Sequence, residues 1–284
     1  MQDKAPSLIE PIPGSLSNLD TKLFCEQGFV AIENYFDTNL LARIADECLQ
    51  FTQSTITSFL PEDKPAAVFW RHVRGDTKRI RPLEEFDTLS EFALGEQASH
   101  LARQFAHVSL GETELRLLET IMFSKPPGEG EMLSWHQDAA FFPFEPQNQI
   151  ALWIPLDDVD SLNGGLEYAV GSHKSGIIGG PYDLHSGKDL SDGSSCLSPL
   201  DFVNKSFEVC GIKLRVGGVA AHDGRTWHRS LPNNSMDRQR RAISLRYLVG
   251  QTRYAPRQGT ASSMNIQVGV APGEIINSPS FPLV

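Results

Sequence analysis

The feature that most constrains the fold is a change in the hydrophobic pattern near residue 115. Before it, apolar residues recur at the i, i+3, i+4 spacing of amphipathic helices, most clearly over residues 39–52 and 86–109. After it, short apolar or alternating runs are separated by Gly, Pro, Asn and Asp, which is typical of a sandwich or barrel. Helices followed by short strands within 284 residues favour a single mainly β domain with flanking helices.

This pattern divides the chain into a lead-in over residues 1–114, a β core over 115–250 and a tail over 251–284. The lead-in also predicts a short helix that ends at Gly28 and a strand directly after it, with Asp37 or Thr38 capping the next helix. The strands expected in the core are Leu115–Leu118, Thr120–Phe123, Ile150–Ile154, Gly165–Val170, Ser206–Val209, Lys213–Val216, Val219–Ala221 and Ala242–Val249.

Two segments have no regular pattern. Residues 53–85 contain Trp70, Arg71 and Lys78 and form the one basic, aromatic-bearing stretch of an acidic chain. They are either a solvated loop or a flap that presents cations to an anionic substrate or co-substrate. Residues 179–205 are rich in Gly, Ser, Asp and Pro, which indicates a long excursion between strands and a candidate lid.

Composition limits the partners and the compartment. A net charge of −10 argues against a general nucleic-acid or anionic-membrane binder. No stretch approaches the ~20 apolar residues of a membrane helix, and the first residues lack the apolar run of a secretory signal. The four cysteines are widely spaced, which indicates free thiols in a reduced, cytoplasmic setting. We expect a monomer or homodimer that acts on a small molecule.

A candidate metal site lies in Trp135-His136-Gln137-Asp138. On a strand, residues i and i+2 point to the same side, so the imidazole of His136 and the carboxylate of Asp138 would converge. Two histidines and one carboxylate on one face of an octahedron are the ligand set of non-haem Fe(II) oxygenases. Because a bare His-x-Asp is common by chance, a second histidine from elsewhere in the fold has to complete the set.

Further motifs follow the metal motif in a fixed order. They are Trp153-Ile-Pro-Leu-Asp-Asp158, Asn163-Gly-Gly-Leu166, Gly171-Ser-His-Lys174, His228-Arg-Ser230-Leu-Pro232-Asn233, Arg240-Arg-Ala242 and Leu245-Arg-Tyr247. As an ordered set over residues 115–250, they resemble the phytanoyl-CoA dioxygenase family of Fe(II)/2-oxoglutarate oxygenases. The resemblance implies a double-stranded β-helix, a cupin-like jelly roll, with Fe(II) inside one mouth.

The resemblance also implies roles for individual residues. By match to the family motifs, the iron ligands are His136, Asp138 and His228. An arginine past the distal histidine would hold the far carboxylate of 2-oxoglutarate, because a buried carboxylate requires a permanently charged fork. Arg240 is the first choice and Arg241 the rival, since a one-residue change of register decides which points inward. The other residues expected around 2-oxoglutarate are Ser230, Trp153, Ile121 (or Met122) and Lys78.

The substrate pocket has weaker candidates, several of which fit a core position equally well. They are Trp135, Phe141, Phe142, His222, Arg225, Trp70, Arg71 and Tyr254. Arg225 and Arg246 could each meet substrate or simply pair on a sheet face. None of these residues carries a signature that identifies the substrate.

The reaction implied by the resemblance consumes O₂ and 2-oxoglutarate and releases succinate and CO₂, with ascorbate as a candidate reductant. Asp138 favours hydroxylation over halogenation, because related halogenases have a small residue at that position. Desaturation, demethylation or cyclisation in natural-product biosynthesis would use the same scaffold. A metal-binding jelly roll without turnover is the alternative from a different class.

Overall fold

Two sheets that pack face to face form the framework of the chain in the computed structural model. The structure describes residues 16–53, 67–72, 78–176, 179–180, 199–257 and 268–284, with backbone only for 51–53, 67–72 and 78–82. A seven-stranded and a four-stranded sheet enclose an apolar cluster to which both contribute, including Ile121 and Trp153 from the larger sheet and Tyr168 from the smaller. This is the double-stranded β-helix that the resemblance implied.

The strands are short and mainly antiparallel. They are β1 (Phe29–Ile32), β2 (Ala67–His72), β3 (Lys78–Pro82), β4 (Leu115–Lys125), β5 (Leu133–His136), β6 (Phe144–Glu145), β7 (Gln149–Pro155), β8 (Leu166–Ala169), β9 (Val209–Gly211), β10 (Val219–Asp223), β11 (His228–Ser230), β12 (Arg240–Val249) and β13 (Arg253–Tyr254). The larger sheet has the order β1-β10-β7-β12-β4-β2-β3, the smaller sheet β5-β11-β8-β9, and β13 pairs with β6.

Helices cover the outer face of the larger sheet. They are α1 (Asn18–Gln27), α2 (Thr38–Gln53), α3 (Asp87–Leu94) and α4 (Glu96–Leu110), while α5 (Pro199–Ser206) packs on the smaller sheet. Asp37 caps α2, because its Oδ1 accepts hydrogen bonds from the backbone N–H of Asn39 (2.7 Å) and Leu40 (3.0 Å). The capping prediction is therefore confirmed for Asp37.

Gly28 ends α1 and ties the lead-in to the core. Its φ of +85° favours glycine, and an added Cβ would lie 2.5 Å from Oγ1 of Thr226. The carbonyl oxygen of Gly28 accepts hydrogen bonds from the backbone N–H of Asp223 (2.9 Å) and from the Thr226 hydroxyl (2.8 Å). The chain thus passes from the first helix directly against the loop between β10 and β11.

Alternate residues of β12 face the two sides of the larger sheet, one side against the helices and the other against the smaller sheet. Successive side chains alternate, so Ile243 and Leu245 pack in the apolar cluster formed with the helices. Ala242 packs in the cluster between the sheets, and this face also carries Arg240 and Arg246. Polar residues at every second position of a buried strand therefore point into the space between the sheets.

Residues 53–85 differ from the irregular loop that was expected. β2 and β3 extend the larger sheet, and β2 runs parallel to β4, with Val68 opposite Thr120. The apolar, β-branched and aromatic residues at the start of β2 favour a strand, which explains the difference, and β3 forms the edge of the sheet. The roles expected for Trp70, Arg71 and Lys78 concern side chains outside the described residues.

Smaller differences concern element boundaries. The helix expected over 86–109 is two helices that meet at Gly95, and the first two core strands are one strand, β4. Residues 213–216 form only an isolated bridge, Leu214 to Val159, and Ser206 ends a helix instead of starting a strand. Of the proposed excursion, residues 199–205 lie in α5, and 181–198 are outside the described part.

Two further expectations bear on the chain as a whole. In the part of the chain that the structure describes, Cys25, Cys48 and Cys210 are free thiols. Among the same residues, none of the helices combines the length and the apolar character that crossing a membrane would take.

Candidate metal centre

His136, Asp138 and His228 converge between the two sheets. β5 and β11 pair antiparallel with His136 directly opposite His228, and their ring centroids lie 4.2 Å apart. Asp138 begins a 3-10 turn two residues after His136, and its Oδ1 lies 3.6 Å from Nε2 of His136 and 3.7 Å from Nε2 of His228. All three side chains are buried, and one ligand atom from each lies within 4.8 Å of the others.

Hydrogen bonds to the backbone fix which nitrogen each histidine presents. Nδ1 of His136 lies 2.7 Å from the carbonyl oxygen of Ser134, and Nδ1 of His228 lies 3.0 Å from that of Thr226. A carbonyl oxygen only accepts, so both Nδ1 atoms carry the proton and both Nε2 lone pairs face Asp138. Burial, and then the proximity of His136, lower the pKa of His228 well below its usual value. His228 is therefore held as a neutral imidazole, the form that binds metals, and both histidines present Nε2 to the same space.

Asp138 is held as a carboxylate by the side chains around it. Arg246 forms a bidentate ion pair with the carboxylate, with Nε 2.8 Å from Oδ2 and Nη2 2.7 Å from Oδ1. On the other side, Nε2 of His222 lies 3.2 Å from Oδ2. Burial alone would raise the pKa of Asp138, but Arg246, His228 and His222 hold it well below its usual value. The site thus combines one fixed negative charge with two imidazole nitrogen donors.

A second row of buried residues supports this carboxylate. Nη1 of Arg246 donates to Oε1 of Glu119, which lies opposite it on β4. The Tyr168 hydroxyl lies 3.2 Å from Nδ1 of His222. Sequence reasoning missed Glu119 and Tyr168. For Arg246 it expected either a substrate contact or a pair on a sheet face, and the structure shows such a pair with Glu119. A usable signal was Glu119 itself, an acidic residue inside the apolar run Leu-Leu-Glu-Thr-Ile of a predicted strand.

Arg240 lies at the other end of the same face of β12. Its side chain is 1% exposed, and its Nε donates to the carbonyl oxygen of Gly164 at 3.1 Å. Its guanidinium carbon lies 5.6 Å from the ring centroid of Trp153. Nη1 has no hydrogen-bond partner within the described part of the chain. A buried guanidinium with an open position calls for a ligand that carries an acceptor.

Lys125 ends β4 directly opposite Arg240 and is fully buried. Its Nζ donates to Oγ of Ser230 at 2.8 Å and to the carbonyl oxygen of Leu231. Burial, and then the charge of Arg240, lower the pKa of Lys125 to about 5. Among the described residues, neither Lys125 nor Arg240 forms an ion pair. We call Lys125, Ser230 and Arg240 the cationic floor.

Register separates the two candidate arginines. Arg241 turns to the outside, half-exposed, and its Nε and Nη2 bind the carboxylate of Asp157 at 3.0 and 2.7 Å. Alternation along β12 thus places Arg240, and not Arg241, on the inner face of the sheet, so our proposal uses Arg240. The same alternation places Ile121 in the cluster between the sheets with Trp153, whereas Met122 faces the helices.

Several sequence motifs converge to build the floor. The side-chain amide of Asn233 donates to the carbonyl oxygens of Lys125 (2.9 Å) and Arg238 (2.8 Å). At Gly164 φ is +98°, and an added Cβ would lie 2.9 Å from Cδ of Lys125 and 3.0 Å from the carbonyl oxygen of Leu231. The Asn-Gly-Gly motif is thus explained by the close approach of its backbone to Lys125.

The expected substrate residues divide into two groups. His222 contacts Asp138, and the ring centroid of Phe141 lies 5.8 Å from that of His136. Trp135 instead packs with Trp227 and Val203 against α5, on the other face of β5. Phe142 and Tyr254 belong to a separate apolar cluster, with Phe144, Leu248 and Phe281. The structure therefore does not place these last three candidates beside the histidines.

A cavity of about 390 Å³ lies near the turn that carries Asp138. Arg225 lines it together with Gln147, Asn148, His173 and Arg257. The guanidinium of Arg225 is engaged by Asp223, with Nε 2.9 Å from Oδ1. Arg257 donates to the carbonyl oxygens of Ala139 (3.4 Å) and Phe142 (2.8 Å), which links the wall of the cavity to the turn after Asp138.

A family model described as phytanoyl-CoA dioxygenase matches residues 24–242. A probable alpha-ketoglutarate-dependent hypophosphite dioxygenase of Stutzerimonas stutzeri is 30% identical over 223 residues, covering 76% of this chain and 73% of its own. A phytanoyl-CoA dioxygenase of Arabidopsis thaliana is 26% identical, covering 82% and 89%. The fold and the site thus define a non-haem iron, 2-oxoglutarate-dependent oxygenase. Within this class, the chain belongs to the phytanoyl-CoA dioxygenase family.

Solved structures support the fold. The alpha-ketoglutarate-dependent carbocyclase SnoK of nogalamycin biosynthesis superposes with a TM-score of 0.71 at 20% identity, covering 96% of this chain and 99% of its own. The epimerase SnoN, solved with Fe³⁺, alpha-ketoglutarate and a nogalamycin, has a TM-score of 0.69 at 18% identity, covering 93% and 97%. At these sequence identities, the structural similarity shows a shared architecture but does not show a shared reaction.

Proposed function

We propose that this enzyme hydroxylates a C–H bond of a small molecule. One substrate C–H, O₂ and 2-oxoglutarate would become one C–OH, succinate and CO₂, so that one atom of O₂ enters the alcohol and the other enters succinate. The observation that carries the proposal is the presence, between the same two sheets, of a buried cluster of two histidines and one carboxylate and of a cationic floor with no carboxylate partner among the described residues. The first fits Fe(II), and the second fits a carboxylate.

Each residue has a defined part in this proposal. His136, Asp138 and His228 hold Fe(II), which when bound supplies the activation of O₂. Arg240 offers its open Nη1 to the far carboxylate of 2-oxoglutarate, and Ser230 adds a hydroxyl at the same end. Trp153 and Ile121 form apolar walls beside the chain of the co-substrate, because both pack between the sheets.

The walls of the metal centre bear on the choice of substrate. Phe141 lies edge-on to His136, with ring centroids 5.8 Å apart. Arg225 and Arg257 both line the nearby cavity, and Arg225 is paired with Asp223. Desaturation, demethylation or cyclisation would use the same residues, and product analysis separates them from hydroxylation.

The proposal is tested with anaerobic protein and Fe(II). Wild-type protein should bind one iron per chain, then 2-oxoglutarate, and release succinate with O₂ uptake. Asp138→Ala should lose iron binding in equilibrium dialysis, and Arg240→Met should keep iron but raise the Kd of 2-oxoglutarate by on the order of 100-fold. Arg241→Met removes the same charge outside the barrel and serves as the matched control.

Two results would overturn the proposal. One is wild-type protein that binds iron but neither binds 2-oxoglutarate nor forms succinate with a broad panel of small molecules. The other is an Arg240→Met protein whose 2-oxoglutarate Kd equals that of the Arg241→Met control.

A further inference from the structure

Lys125 is the one residue of the cationic floor that the proposed function leaves without a part. Its Nζ lies 2.8 Å from Oγ of Ser230 and 3.4 Å from the carbonyl oxygen of Ser230, and it also donates to the carbonyl oxygen of Leu231. Three oxygen acceptors thus surround an amino group that is fully buried. Lysine is rarely buried in this way unless it is paired.

The contact with Ser230 has a chemical consequence. A serine hydroxyl has one proton to donate and two lone pairs to accept with. The two carbonyl oxygens around Nζ can only accept, so in the protonated form of Lys125, which has three N–H donors, the third N–H occupies a lone pair of Oγ and the hydroxyl proton is directed away from Lys125. No acceptor for that proton is present among the described residues, just as none is present for Nη1 of Arg240.

The position of Lys125 relative to Arg240 also indicates that this space is built to receive an anion. The two residues are direct partners across β4 and β12, and both approach Gly164, with Cδ of Lys125 2.9 Å and Nε of Arg240 3.5 Å from an added Cβ. The nearby carboxylate of Asp157 is already occupied by Arg241. Two cationic side chains and one hydroxyl donor therefore share a buried space without an anion from the described chain.

We infer that Lys125 is a positioning residue for the far carboxylate of the co-substrate: the bound anion favours the protonated form of Lys125, which turns the Ser230 hydroxyl into a donor and adds a second positive charge beside Arg240. The inference rests on the proposed function, because it assumes that 2-oxoglutarate binds at the cationic floor. It goes further by assigning the orientation of Ser230 to Lys125. A purely structural Lys125 would only brace the backbone at Leu231.

The test is a double-mutant cycle on the affinity for 2-oxoglutarate. Lys125→Met, Ser230→Ala and the double variant are loaded anaerobically with Fe(II), and the Kd of 2-oxoglutarate is measured by calorimetry. We expect Lys125→Met to raise the Kd about 10- to 100-fold, the range for a charge-assisted hydrogen bond. In the Ser230→Ala background the effect of Lys125→Met should be clearly smaller, because the two residues act through one contact.

Controls separate this inference from a folding defect and from the proposed function. Iron affinity and the far-UV circular dichroism spectrum should stay unchanged in Lys125→Met, and Arg241→Met should shift the Kd by less than about twofold. If Lys125→Met does not fold, Lys125→Gln retains a donor without the charge and should give an intermediate Kd.

The outcomes are distinct. A wild-type protein that binds no 2-oxoglutarate defeats the proposed function. A wild-type protein that binds it, together with a Lys125→Met protein of unchanged Kd, defeats only the inference. Equal effects of Lys125→Met in the wild-type and Ser230→Ala backgrounds would show that Lys125 does not act through Ser230, which also overturns the inference.

Discussion

The two ends of the space between the sheets differ in how their buried charges are balanced. At the metal centre, Arg246 forms ion pairs with both Asp138 and Glu119 through its three nitrogen donors. At the cationic floor, Arg240 and Lys125 lie side by side, and no described carboxylate pairs with either. The same face of β12 supplies Arg246 to one end and Arg240 to the other.

This difference separates a preformed site from one that a ligand completes. Paired and hydrogen-bonded charges are costly to break, so the metal ligands are held in place before a metal arrives. Unpaired buried cations are costly to keep, so an anion that binds there stabilises the fold as well as itself. Substitutions at the two ends should therefore have opposite effects on the stability of the ligand-free protein.

The largest effect is expected for Arg246→Met. It leaves the carboxylates of Asp138 and Glu119 buried without a cation, which should lower the free energy of unfolding by about 3–5 kcal/mol. Chemical denaturation of the metal-free protein measures this. The double variant Arg246→Met, Glu119→Gln should recover part of the loss, because one of the two stranded charges is removed. A loss below about 1 kcal/mol for the single variant would contradict the pairing described for this end.

A second prediction concerns pH and the cationic floor. The pKa of Lys125 is lowered to about 5 in the folded chain and returns to its ordinary value on unfolding. Between these values the unfolded chain binds one more proton, so the folded state gains stability as pH rises, by at most about 1.4 kcal/mol per pH unit. This gain begins above the folded pKa and ends once the unfolded lysine is also deprotonated.

Lys125→Met should remove this dependence and stabilise the ligand-free protein at pH 7. Unfolding measured at several pH values for the wild type and the variant isolates the contribution of Lys125, since all other groups are shared. Parallel curves would mean that the folded chain keeps Lys125 protonated with its ordinary pKa, and the contrast between the two ends would be lost.

The smallest effect is expected for Gly164→Ala, with Gly111→Ala as its matched control. Both glycines have positive φ, but an added Cβ meets Lys125 and Leu231 at Gly164 and nothing within 4 Å at Gly111. Left-handed strain should cost each variant about 1–2 kcal/mol. Crowding should cost Gly164→Ala about 1 kcal/mol more and weaken 2-oxoglutarate binding. Equal losses in thermal unfolding, with unchanged binding, would show that the floor tolerates the extra methyl group.

The elements and site residues that depend on local sequence pattern can be predicted from the sequence. Helical spacing and strand alternation locate α2 and most core strands, and the ordered motifs bring His136, Asp138 and His228 together. The parallel pairing of β2 with β4 is not predictable in this way, since it joins segments about fifty residues apart with no local signal. Glu119 is a single acidic residue in an apolar run, whereas Lys125 and Tyr168 stand next to the polar residues Ser124 and Glu167. The partners of all three become visible only when register is known.

The contact between Gly28 and the loop before His228 has a consequence for how the protein can be divided. A boundary drawn at residue 115, where the strand pattern begins, would remove the carbonyl oxygen that receives the Thr226 hydroxyl, and with it β1, the strand that borders β10. The backbone that orients His228 would then lose its anchor. The smallest piece that could be transplanted into another scaffold or shuffled between relatives with its metal centre intact therefore begins in the first helix, well before the barrel.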